Sequence, residues 1–244
     1  VVEEKIKEIL KRAFPQEFNK ERSEAYDKLG IQKLNPVKLF EEQKKLNRAL
    51  LDASVKGDFK KVQELINKGA NPNAKDYAKR TALHYASGGG HDKTVKTLLQ
   101  NKANIHAKDD AGMTPLHHAS GGGHDKTVKT LLQNKANIHA KDDGGWTPLH
   151  HASNMGRDKT VKTLLQNKAN IHAKDDGGWT PLHHASLNGR DKTVRLLLEH
   201  AEKHGGIEKL LNATNKKGKR AVDIAKDNVR GVLIEEMRKH GLKI

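Results

Sequence analysis

The sequence predicts an all-α solenoid, with short helix-turn-helix units stacked side by side behind a helical N-terminal extension. Three observations predict it. Residues 81–113, 114–146 and 147–179 are near-copies of 33 residues each; the first pair differs at four positions and the second pair at three. A unit that short cannot bury its own apolar face and must pack on its neighbours. Only 4% of the 244 residues are aromatic and 34% hydrophobic, which is lean for a single globular core but enough for a stack in which each unit packs only on the next. The chain has no cysteine, so disulfides, zinc-thiolate sites and thiol nucleophiles are excluded together, and stability has to come from packing.

The elements follow in order. In residues 1–45, Ile6, Ile9 and Leu10 have helical spacing, Pro15 opens a second helical stretch to about Leu29, and Asn35-Pro36 caps a third through Leu39 and Phe40. This segment reads as a helical extension. The repeat domain covers 46–244, with units at about 46–80, 81–113, 114–146, 147–179 and 180–219 and a C-terminal cap at 220–244. In each unit Thr-Pro, as at Thr114-Pro115, is a hydroxyl N-cap followed by proline at the first helical position. Leu116 and Ala119 share a face. Gly123 breaks the helix, and Asp125 is the expected cap of the next one. There Val128, Leu131 and Leu132 fall at i, i+3 and i+4, leaving Lys126, Lys129 and Gln133 to solvent. Lys141-Asp142-Asp143-Gly144-Gly145 is turn chemistry. The fifth unit is longer by about seven residues around His204-Gly205-Gly206. The cap begins at Arg220 and ends among charged residues, as a capping unit should.

The pattern TPLH…A…G…V…LL at this period resembles the ankyrin repeat, from about residue 46 onward. Two departures stand out. Lys102, Lys135 and Lys168 occupy a place where the family usually has glycine, as at Gly69, and a left-handed backbone there would cost about 1 kcal/mol each. Gly88-Gly89 and Gly121-Gly122 stand where the family usually has other residues, weakening that turn by roughly 0.5–1 kcal/mol per glycine. The resemblance implies a structural role for His84, His117, His150 and His183, bonding to neighbouring loops. The run from Leu50 to Asp76 and the recent-looking duplications also resemble ankyrin proteins of obligate intracellular bacteria.

Chemistry is harder to find. Two nitrogens on one zinc lie about 2.0–2.1 Å from it, whereas packed helices sit about 8–10 Å apart, so the histidine ladders do not read as metal sites. The pairs Asp109-Asp110, Asp142-Asp143 and Asp175-Asp176 recur at turns, where aspartate is favoured for backbone reasons; an active site is one asymmetric constellation. No catalytic residue, metal ligand or cofactor is assigned, and the chain is not expected to be an enzyme. No run approaches the ~18–20 apolar residues that cross a bilayer, and the N-terminus has no secretory-signal layout; an intracellular site is expected, or delivery into a host cell. The net charge is +16, of which residues 46–80 carry +4 and 213–244 carry +5.

The near-identical units differ in two slots, and these are the candidate binding positions. One holds Arg80, Met113, Trp146 and Trp179, which the resemblance places on the exposed concave side beside the turn tips. The other holds Gly121-Gly122, Asn154-Met155 and Leu187-Asn188. Exposed tryptophan is a common interface anchor. Tyr77 and the turn aspartates Asp110, Asp143 and Asp176 complete the set; the aspartates favour a basic rim on the partner. The expected function is binding of another protein through the concave face, by a monomer; as a bacterial effector the chain would meet a host protein. Two other readings stay open: a nucleic-acid-associated protein using the basic ends, and a non-catalytic scaffold or regulatory arm of a larger protein. Stacking of Met113, Trp146 and Trp179 on neighbouring helices is the competing account of that row.

Overall fold

The computed structural model describes residues 36–244. The expected helical stretches around Ile6 and from Pro15 to Leu29 lie outside the described residues. The third is present, and it is long: α1, Pro36–Lys56, runs without a break from the Asn35-Pro36 start through the first helix of the first unit. It is paired with α2, Phe59–Asn67. The near-identical units follow as α3 (Ala82–Gly88) with α4 (Asp92–Gln100), α5 (Pro115–Gly122) with α6 (Asp125–Gln133), and α7 (Pro148–Asn154) with α8 (Asp158–Gln166). The fifth unit pairs α9, Pro181–Leu187, with α10, Asp191–His204, and the additional residues lengthen α10 and form α11, Ile207–Leu211. The cap is α12, Ala221–Ile224, and α13, Asp227–Lys239.

First helices pack on first helices and second helices on second helices along the whole stack. The core is therefore a ladder. Leu83, Leu116, Leu149 and Leu182 are fully buried in the first-helix row, and Leu98, Leu131, Leu164 and Leu197 in the second. Burying each leucine is worth about 1.5–3 kcal/mol, and the ladder makes that gain depend on the adjoining unit.

Two local expectations meet different outcomes. Lys102, Lys135 and Lys168 do adopt left-handed backbone, with φ of 62°, 67° and 66°. Asp125, in contrast, does not cap its helix. The N-cap is His124, and Asp125 is the first helical residue. Its carboxylate instead accepts a hydrogen bond from Thr163 of the next unit, as Asp92 does from Thr130 at 2.5 Å. The short polar side chain is used to tie units together, because the N-terminal turn of each second helix abuts its successor.

Candidate partner-binding face

The hairpins between units are built by the first aspartate of each pair. Asp109 Oδ1 accepts from the backbone N–H of Ala111 and Met113 at 3.0 and 2.9 Å, and Asp142 and Asp175 repeat the arrangement with Gly144 and Trp146 and with Gly177 and Trp179. The other oxygen of each takes an imidazole: His118 Nε2 donates to Asp109, His151 to Asp142 and His184 to Asp175, all at 2.8 Å. Tyr85 donates to Asp76 in the first unit. Burial pushes the Asp109 carboxyl up, but the bonds from His118 and the two backbone N–H groups outweigh it and hold the group below the usual carboxylate range. The second aspartate has a different fate. Asp110, Asp143 and Asp176 are exposed, and their backbone N–H groups donate to Ala78, Ala111 and Gly144 of the preceding hairpin, which locks the tips into one edge. Lys79 Nζ pairs with Asp110 at 2.7 Å.

Histidine in the TPLH slot joins three elements. The Thr114 N–H donates to His117 Nδ1 at 3.0 Å, which leaves Nε2 protonated to donate to Trp146 O at 3.1 Å in the next hairpin. His84, His150 and His183 do the same toward Met113, Trp179 and Lys219. Burial pushes the pKa of His84, His117 and His150 down to about 4. Imidazoles of adjoining units also come closer than helix spacing suggests: the rings of His117 and His151 lie 5.5 Å apart, edge to face. Both nitrogens of each TPLH histidine are engaged in these bonds, so neither is aimed at a shared ion. Near the C-terminus, Glu202, Glu236 and His240 present ligand-type atoms within 4.8 Å of one another, but Lys239 Nζ lies 3.1 and 3.2 Å from the two carboxylates and occupies their charge.

A match to the family model of ankyrin repeats runs through three overlapping segments, residues 50–142, 97–175 and 134–207. The chain belongs to the ankyrin repeat family. It is also similar to an ankyrin repeat protein of Rickettsia felis, at 38% identity over 52 residues, which is 21% of this chain and 79% of that protein. Ankyrin repeats are generally protein–protein interaction modules, and members of the family are typically non-catalytic. Among the described residues no helix is long and apolar enough to cross a membrane.

The ankyrin frame shows what each candidate position offers. Met113, Trp146 and Trp179 are half-buried rather than freely projecting. The Trp146 ring lies 4.0 Å from the ring of His184, and Trp179 stacks on His184 at 5.3 Å, so much of each indole is spent on the stack itself. Arg80 is half-buried, with Nε 3.6 Å from Asp109. The exposed apolar groups sit elsewhere. Val55, Met155 and Leu187 are 51%, 47% and 42% exposed, and Tyr77 is 97% exposed. Val55 and Leu187 occupy the same place in their units as Gly88, Gly121 and Asn154, with Met155 one residue on. Asn188 Nδ2 donates to Asn154 Oδ1 at 2.7 Å along this row. At its N-terminal end a cleft of about 560 Å³ opens between α1 and the first hairpin, lined by Arg48, Leu51, Val55, Asp76, Tyr77 and Tyr85 among others. Sequence reasoning missed Val55, Leu51 and Tyr85. Aligning the diverged first unit position by position on its neighbours would have shown Val55 in the variable slot.

Proposed function

We propose that the chain binds another protein along the face formed by its hairpins and the ends of its first helices, the concave face of the family. The observation that carries this is the row itself. Val55, Met155 and Leu187, three of the six exposed large apolar residues among the described ones, fall in one variable strip, and the cleft beside Val55 connects that strip to Tyr77. Exposed apolar residues scattered singly mean little, whereas contiguous ones mark an interface, and Met155 and Leu187 stand in adjoining units of the strip. Between the two apolar ends, Gly88-Gly89 and Gly121-Gly122 lack side chains, and the rings of His91 and His124 lie against Gly89 and Gly122. Trp146 and Trp179, half-buried against His184, leave part of each indole accessible, and Asp110, Asp143 and Asp176 give the hairpin edge a negative rim suited to basic residues. The similarity to a protein of an intracellular bacterium supports a host protein as partner, in the manner of an effector.

The test compares capture by the parent chain with capture by a Met155→Asp/Leu187→Asp variant, under nuclease. A protein held by the parent and released at least tenfold faster by the folded variant supports the strip. Equal retention sinks it. A Trp146→Ala/Trp179→Ala variant run in parallel separates an indole anchor from an indole that only stiffens the stack.

A further inference from the structure

The charge of the middle units is segregated between two faces. Each second helix with its exit, residues 92–104, 125–137 and 158–170, carries a net +2, while each hairpin, 105–113, 138–146 and 171–179, carries −1. The positive face is made of three exposed lysines per unit: Lys93, Lys96 and Lys102 and their equivalents. The one acid per unit, Asp92, Asp125 or Asp158, has an oxygen occupied by a threonine of the following unit. Lys96 and Lys129 pair with Asp92 and Asp125 at 3.1 and 2.8 Å. Lys102, Lys135, Lys162 and Lys168 have no carboxylate within 4.0 Å among the described residues.

The lysines at the helix exits carry a second signal. Lys102, Lys135 and Lys168 sit at positive φ, where Gly69 stands in the first unit. A side chain is kept in a strained backbone three times over where the chain itself shows that glycine fits, and strain of this kind is a pointer to use. The face offers little else. The helices α4, α6, α8 and α10 contain no Phe, Tyr or Trp, and none of the exposed large apolar residues lies on them. That argues against a protein partner, whose hot spots need aromatic or arginine anchors, and against single strands, which stack on aromatic rings. Rigid helices about 8–10 Å apart instead present a grid of ammonium point charges, matched to a dense row of phosphates.

We propose that the outward face of α4, α6 and α8 with their lysine exits is a second, sequence-independent binding surface for the phosphate backbone of duplex nucleic acid. It is separate from the apolar strip and does not rest on it.

The test is anisotropy of a labelled 20-base-pair duplex with the full chain across about 50–200 mM salt, since each lost phosphate contact lowers the log–log salt slope by about 0.9. A Lys102→Gly/Lys135→Gly/Lys168→Gly variant should lose roughly tenfold in affinity and about 2.7 in slope while melting at a higher temperature, which rules out unfolding as the cause. Lys216→Gln/Lys217→Gln/Lys219→Gln, an equal change of charge at the basic C-terminal loop, should lose less than threefold. Met155→Asp/Leu187→Asp should bind the duplex as the parent does. Equal losses by the two lysine variants, no loss by the first, or binding to phosphatidylserine vesicles in place of the duplex would overturn the proposal.

Discussion

At the residue scale the TPLH imidazoles couple one unit to the next, and they also make the stack sensitive to acid. His84, His117 and His150 are neutral in the fold, each with a pKa pushed from the ordinary 6.5 down to about 4 by burial. Between those values the unfolded chain binds protons that the folded chain refuses. Their contribution is therefore fully present above pH 6.5 and is lost as pH falls toward 4, at about 3 kcal/mol for each imidazole. Melting temperatures should be flat from pH 8 to 7 and fall steeply from 6 to 4.5; a flat profile down to 4.5 would refute the assignment. A second residue-scale coupling involves the glycine pairs. A Cβ on Gly122 would lie 2.5 Å from the His124 ring, which donates to Gly88 O at 2.8 Å. In the next unit Met155 stands where Gly122 does, and Arg157, in place of histidine, reaches Gly121 O at 3.0 Å. Gly122→Ala should thus destabilise by about 1–3 kcal/mol from overpacking in the parent and by much less with His124→Arg, a non-additivity that chemical denaturation of the four chains measures. The TPLH ladder was legible in the sequence, with its structural role as the family resemblance implies it; the bonds of His118, His151 and His184 to the hairpin aspartates were not. The paired exchange of glycine and histidine was not, because it depends on a ring crossing from one unit to the other.

At the scale of the element, what the helices lack is as informative as what they contain. The repeat period, the Thr-Pro starts and the Leu ladder could all be read directly, because each reflects local chemistry or spacing. The role of Asp125 could not, because its partner, Thr163, is in another unit. The same neighbour dependence leaves defects. The hydroxyls of Thr94, Thr127 and Thr160 are buried with no hydrogen-bond partner, and an orphaned buried hydroxyl costs about 1–3 kcal/mol. Thr127→Val keeps the shape and removes the hydroxyl, so it should raise stability by about 1 kcal/mol; a loss would show that the hydroxyl is satisfied after all. At the helix exits, Lys135→Gly removes a side chain from φ 67° and should add about 1 kcal/mol. Urea midpoints with an unchanged slope are the readout for both.

On the scale of the whole molecule, the same 33-residue period that makes the units interchangeable also sets the length of the binding strip. Its exposed apolar groups are concentrated at the two ends, Val55 with Tyr77 on one side and Met155 with Leu187 on the other, and the glycine-bearing units separate them. Sequence named both the tryptophan row and the slot with Met155 and Leu187 and gave the tryptophans first weight, since two tryptophans in a lean composition draw the eye; packing shows that His184 lies against both indoles. Removing residues 114–146 tests which picture holds. The deletion joins Met113 to Thr147 in the register that Met113 already has with Thr114, so every inter-unit bond finds an equivalent partner. Nearest-neighbour energetics then predict a folded, shorter stack of lower stability, because one unit and one interface are lost. The two apolar ends move closer by one unit, about 10 Å. A rigid partner that bridges them can keep only one end of its contact, and its affinity should fall about as far as in the Met155→Asp/Leu187→Asp variant. Retained binding by the shortened, folded chain would mean that one end suffices, and would return the search for the anchor to the cleft at Tyr77.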